Sequence, residues 1–222
     1  MGFKMGERTF ALDNDFVVLY TDGLDGGGID HLPDFRNAVG KKKYNKAVEW
    51  CAGFGVIGFD FLNRGVCKNM AFIDCYGPAI DWLEKTIAHN NVQNNTALYY
   101  IHRIGMLPKD VKFDLVLANP PHSFDEAAIE HFNNTVEDII ARENIVRITC
   151  DLNLEIHKEF FANIRQHLEP NADIFMSEVG YFDVIQKFAE DAGLVFVTKH
   201  PAACLSRDSN TDAVIFHFKE PV

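Results

Sequence analysis

FDLVLANPPH, residues 113–122, runs from an apolar segment straight into Asn119, Pro120, Pro121 and His122. A short continuous apolar run bounded by turn residues reads as a buried strand. Proline offers no N–H to a ladder and its φ is fixed, so the strand stops at Asn119, whose side chain is held by two stiff neighbours. An amide both donates and accepts hydrogen bonds. Mounted in this way it is either a ligand-holding group or a plain strand-end turn residue, and the choice rests on what else the chain brings to that end of the sheet.

Working outward, residues 47–52 read as a first strand, 56–63 as a helix stopped by Gly65, and 69–74 as a second strand. Pro78 opens the next helix in its first turn. Ala79, Ile80, Leu83, Ile87 and Ala88 recur there at helical spacing, and Asn90-Asn91 closes it. Residues 97–101 are a third strand and 113–117 a fourth. Strands alternating with helices predict an α/β fold with a parallel sheet and crossover helices. Residues 123–150 break the rhythm with a helix around 126–140 and an apolar piece at 145–149, a length that suits either a substrate-facing lid or a surface elaboration. The helix 154–168 and strand 172–176 restore the alternation. Two last runs, 194–199 and 213–218, flank a turn-rich stretch containing Ser206 to Asn210 and predict an antiparallel hairpin.

Before the first of these strands, residues 8–12 and 16–20 suggest two short strands around Asp13-Asn14-Asp15. Residues 21–30, with Gly23 and Gly26-Gly27-Gly28, are too glycine-rich for a helix, and 33–39 form a short one. The chain of 222 residues suits one domain, with residues 1–45 as an extension and 46–222 as the core.

The net charge of -11 disfavours bulk binding to a phosphate backbone, because that affinity comes from Lys and Arg. Lys41-Lys42-Lys43 with Lys46 reads as a solvated turn or a local phosphate contact. Five cysteines, Cys51, Cys67, Cys75, Cys150 and Cys204, make no C-x-x-C pair and are odd in number, which predicts neither zinc nor a disulfide framework and points to a reducing compartment. The start of the chain lacks the apolar core of a signal peptide, and no run approaches the ~18 residues of a membrane span. A cytoplasmic protein without a membrane partner is expected.

Glu49 to Gly58, EWCAGFGVIG, places glycines at a strand-to-helix turn. There the backbone can approach a ligand closely, and the helix start supplies unpaired amide donors. Asp74 ends the next strand, where a carboxylate can accept from both hydroxyls of a ribose. The turn alone fits G-x-G-x-x-G and an NAD site equally well. Glu49, inside the strand before the turn, is awkward beside a pyrophosphate and useful beside a cationic cofactor. Each acid has a plainer reading, Glu49 as a surface acid and Asp74 as a helix cap. Cys51 and Cys75 could equally be small buried side chains, and His122 a loop histidine. His102, His131 and His157 have no metal-ligand spacing and receive no role.

Together the glycine turn, Asp74 and Asn119-Pro120-Pro121 at the end of the fourth strand resemble the class I S-adenosylmethionine-dependent methyltransferases. The resemblance is to the branch whose fourth strand ends in [D/N]-P-P-[Y/F], which includes the "methyltransferase small" group, release-factor glutamine methyltransferases and adenine- or guanine-N-methylating enzymes. It runs from about Ala47 to Phe218. It implies a Rossmann-like, mostly parallel seven-stranded sheet with helices on both faces and an antiparallel C-terminal hairpin. It implies S-adenosyl-L-methionine as cofactor, with Glu49, Cys51, Gly53, Gly55, Asp74, Cys75 and Asn119 binding it, and no metal. Asn119 Oδ1 and the Pro120 carbonyl would accept hydrogen bonds from an acceptor NH2, with His122 beside them, so positioning does most of the work.

Three departures stand out. His122 replaces the stacking Tyr or Phe. Cys51 stands where the first glycine of the turn is commonest. His102-Arg103-Ile104 occupies the place of an acid often found after the third strand. The resemblance implies N-methylation of an amide or exocyclic amine. The acidic balance tilts the acceptor toward a protein or small molecule, and the 45-residue start is shorter than the helical domain that release-factor methyltransferases carry. An RNA or DNA base is the runner-up acceptor. A non-catalytic cofactor-binding scaffold and an NAD(P)-dependent oxidoreductase are the rival classes.

Overall fold

A computed structural model describes residues 6–21, 24, 28–122, 126–135, 139–202 and 213–222. Seven strands form one sheet: β3 (Tyr44–Trp50), β4 (Cys67–Asp74), β5 (Thr96–Tyr100), β6 (Phe113–Ala118), β7 (Leu168–Val179), β8 (Val195–Pro201) and β9 (Ala213–Lys219), in the order β5-β4-β3-β6-β7-β9-β8. The first five are mutually parallel, and β9 runs antiparallel to both β7 and β8. The C-terminal hairpin is as the sequence predicts, while the turn containing Ser206 to Asn210 lies outside the described residues.

The parallel strands are apolar on both faces because helices cover both. One face carries Ala47, Met70, Phe72, Leu115 and Leu117. Against it lie α1 (Gly28–Val39), α2 (Val56–Asn63) and α3 (Gly77–Asn90), through Phe35, Phe59 and Leu83. The other face carries Val48, Ala71, Val116 and Ile174 and packs on α6 (Glu155–Ile164) and α7 (Phe182–Asp191), through Phe160, Phe161 and Ile185. A separate antiparallel pair, β1 (Glu7–Ala11) and β2 (Val17–Thr21), sits against α3. Leu12, Phe16 and Val18 enter the first core, so this pair is packed into the fold.

Three expectations change. The helix expected at 33–39 begins at Gly28, within the glycine-rich patch; residues 22–23, with Gly23, and 25–27 of that patch lie outside the described residues. The segment 126–149 holds two helices, α4 (Glu126–Thr135) and α5 (Ile139–Thr149), where a helix and a separate apolar piece were expected. Helix α7 has no counterpart in the sequence reading.

Candidate active site

The parallel strands all present their C-terminal ends to one edge, where open α/β sheets bind ligands. A cavity of about 520 Å³ opens there, lined by Glu49, Cys51, Gly53, Asp74, Cys75 and Asn119 among others. Six of the seven predicted cofactor residues are therefore brought together. Gly55 is not: it lies behind the turn at φ 77, where a Cβ would meet Leu83 at 2.5 Å and Phe72 at 2.8 Å, so its bareness serves packing. Pro120 and His122 stand beside the cavity, whereas Pro121 lines it.

The turn after β3 is built around two carboxylates. Asp74 Oδ2 accepts from the Gly53 amide at 2.8 Å and its Oδ1 from the Tyr76 amide at 2.9 Å. Burial pushes the Asp74 carboxyl up, against the pull of those amides and of the Arg147 charge. Glu49 is 2% exposed and accepts from the Gly58 amide at 2.8 Å, in the first turn of α2. A Cβ on Gly58 would sit 2.7 Å from that carboxylate oxygen, so only glycine lets the acid lie there. Burial raises Glu49 to about 8. Cys51 takes φ 56, the left-handed conformation that the family's glycine would supply, and burial raises its thiol.

Asn119 follows β6, and the register Ala118↔Met176 sets it beside Ser177 of β7. Ser177 Oγ donates to Asn119 Oδ1 at 2.5 Å, and His122 Nε2 lies 3.3 Å from the same oxygen. Behind them runs a buried chain that the sequence reading missed. Asp151 Oδ2 is 2.5 Å from His157 Nδ1, and His157 Nε2 is 2.8 Å from Glu178 Oε1. Glu178 Oε2 then faces His122 Nδ1 at 3.8 Å. Burial alone would lower His157, but Glu178 and Asp151 prevail and hold it at about 9. The charge on His157 in turn holds Glu178 below its ordinary range in spite of burial.

Helix α5 lays Arg147 and Ile148 on the cavity, with the Arg147 guanidinium 3.3 Å over the Tyr76 ring. The segment whose role was open between lid and elaboration thus forms part of the cavity wall. His102 and Arg103 line it too, in the place of the missing acid. Cys75 is exposed at its edge. The donor set fits a nucleoside bearing a cation: a carboxylate at a strand end, a glycine turn, Glu49 for positive charge, and apolar walls from Ile73, Ile101 and Ile156.

The family model of the methyltransferase small domain matches residues 29–145, just over half of the chain. A search of curated proteins gives no match. A methyltransferase from Pyrococcus furiosus is similar at TM-score 0.57 and 12% identity, over 85% of this chain and 80% of that one. M. jannaschii tRNA m1G37 methyltransferase is similar at TM-score 0.57 and 17% identity, over 100% of this chain and 59% of that one. TYW2 of P. horikoshii in complex with MeSAdo is similar at TM-score 0.59 and 10% identity, over 96% and 70%. At these identities the likeness is one of fold.

Proposed function

We propose, on the premise that this chain belongs to the methyltransferase small domain family, that it is an S-adenosylmethionine-dependent N-methyltransferase acting on an amide or exocyclic amine of a protein or small molecule. The observation that carries this reading is the meeting of Asp74, the Gly53 turn and Asn119 around one cavity. When bound, S-adenosylmethionine supplies an electrophilic methyl group on a sulfonium. Asp74 would accept from ribose hydroxyls, Glu49, which burial holds protonated, would ionise to meet the cofactor's positive charge, and Gly53 keeps the backbone open to close approach. Asn119 Oδ1 and the Pro120 carbonyl would accept from the acceptor nitrogen and orient its lone pair.

A nucleic-acid base is the second reading, favoured by Arg103, Arg147 and Lys158 on the same cavity, although Glu155 and Glu159 line it as well. No helix among the described residues is long and apolar enough to cross a membrane. Cys51, Cys67, Cys75 and Cys150 are free thiols, which supports a cytoplasmic setting.

Calorimetric titration with S-adenosylhomocysteine, with NAD as control, tests the cofactor. Micromolar binding of the former alone is expected, and binding of NAD instead would overturn the reading. Asp74→Ala should weaken that binding at least tenfold, since each charge-assisted hydrogen bond is worth about 1.5–3 kcal/mol. Asn119→Ala should bind S-adenosylhomocysteine as wild type does while losing transfer of a radiolabelled methyl from S-adenosylmethionine to acceptors in cell extracts. Undiminished transfer would remove Asn119 from its role.

A further inference from the structure

Helix α5 brings Arg147 to the cavity on the side of Asp74, whose carboxylate feels its charge. The guanidinium lies 3.3 Å over the ring of Tyr76, two residues beyond Asp74, so the ring holds the cation in place. Its Nη2 is buried and makes no hydrogen bond to any described residue. A buried donor left unpaired is destabilising, and a ligand that supplies the acceptor recovers the loss.

The acids that line the cavity are engaged elsewhere. Glu159 accepts from the Ile104 and Gly105 amides at 3.0 and 3.2 Å, Glu155 pairs with Lys158 at 3.5 Å, and Glu49 accepts from the Gly58 amide. Asp74 holds the Gly53 amide on one oxygen and the Tyr76 amide on the other, which leaves each oxygen a further lone pair. Arg147 can only donate and ionised Asp74 can only accept. A group lying between them must therefore give a proton to one and a lone pair to the other. A phosphate or carboxylate would suit Arg147 and be repelled by Asp74, and an ammonium would suit Asp74 and be repelled by Arg147. A neutral hydroxyl, with one proton and two lone pairs, satisfies both.

We propose that Arg147 and Asp74 form a two-sided clamp on the cofactor's ribose, in which a hydroxyl donates to Asp74 and accepts from Arg147 Nη2. This rests on the methyltransferase reading and gives α5 a direct part in holding the cofactor. Arg147 lies beyond residues 29–145, the segment that the family model matches. The clamp selects for a ribose because both of its jaws are satisfied only by a group that donates and accepts at once.

The test is calorimetric titration of the full chain, wild type and Arg147→Met, with four ligands: S-adenosylhomocysteine, its 2′-deoxy and 3′-deoxy analogues, and 5′-methylthioadenosine, which keeps the ribose and lacks the amino-acid carboxylate. Arg147→Met should weaken S-adenosylhomocysteine and 5′-methylthioadenosine by about tenfold or more. It should weaken one of the deoxy analogues by less than about threefold, because the hydroxyl that Arg147 grips is already gone. Equal weakening of all four ligands, or of none, would overturn the clamp. Weakening confined to ligands that carry the carboxylate would overturn it too, by giving Arg147 to that group. Arg147→Ala takes the place of the first variant should that one not fold. Binding of 5′-methylthioadenosine that depends on Arg147, with no binding of S-adenosylhomocysteine, would keep the clamp and sink the cofactor reading. Binding of S-adenosylhomocysteine that ignores Arg147 would do the reverse, and binding of neither would overturn both.

Discussion

A carboxyl sealed beneath a helix start, with the Gly58 amide donating to it, resists ionising, and Glu49 accordingly sits at about 8 against an ordinary 4.5. The folded chain holds a proton on Glu49 that the unfolded chain has released across that window, so stability falls as pH rises from about 4.5 to about 8. Glu49→Gln keeps an acceptor for the Gly58 amide and removes the titration. The difference in melting temperature between variant and wild type should therefore grow in the variant's favour on going from pH 5 to pH 8. An equal difference at both ends would mean that Glu49 is already ionised. Glu49, Asp74 and Asn119 were legible in the sequence because each occupies a fixed place relative to a strand end. Ser177, Glu178 and His157 were not, since 58 residues separate Ser177 from Asn119 and only the strand register joins them. The available signal was the polar pair Ser177-Glu178 closing the apolar run of β7 on the same edge.

At the scale of elements, β2 shows how a short strand can be held without a second sheet neighbour. Its free edge is paired by side chains of α3. Asn90 accepts from the Val17 amide at 2.9 Å and donates to the Val17 carbonyl at 2.7 Å, and Thr86 accepts from the Leu19 amide at 3.0 Å. Asn90→Ala removes both partners of Val17 at once. It should cost about 1–3 kcal/mol and strip hydrogen-exchange protection from the Val17 amide first. Protection that survives would place the anchoring of the hairpin in its apolar contacts instead. The elements hardest to read were those whose local preferences conflict with their context. Helix α5 is rich in isoleucine and valine, which favour strands by their branching, yet it forms a helix over the cavity. Helix α7 follows β7 after only Gly180 and Tyr181, too short a break to separate the two patterns by inspection.

Across the whole molecule, the sheet divides two apolar cores, and the buried ion pairs decide how the assembly answers pH. Asp173 is drawn to about 2, against burial, by hydrogen bonds from His217, Lys42 and Tyr44, joining β7 to β9 and β3. Its contribution is present above its ordinary 3.8 and is lost only as pH falls through about 2, which protects the fold from mild acid. His157 joins α6 to β7 with the opposite sign. Its folded value of about 9 exceeds the ordinary 6.5, so its stabilisation is complete below 6.5 and disappears as pH rises through about 9. Glu49 falls away in the same alkaline direction, so maximal stability is expected on the acid side of neutrality. Thermal melts from pH 4 to pH 9.5 should show this as a decline that begins near pH 4.5 with Glu49 and steepens above 6.5, where His157 adds to it. His157→Phe fills the volume but leaves Asp151 and Glu178 as buried carboxylates facing an apolar ring. It should cost about 3–5 kcal/mol in denaturant unfolding at pH 6 and flatten the decline between 6.5 and 9. A variant that loses stability yet keeps the full alkaline decline would show that another group carries the titration, and that His157 is held neutral between its two carboxylates.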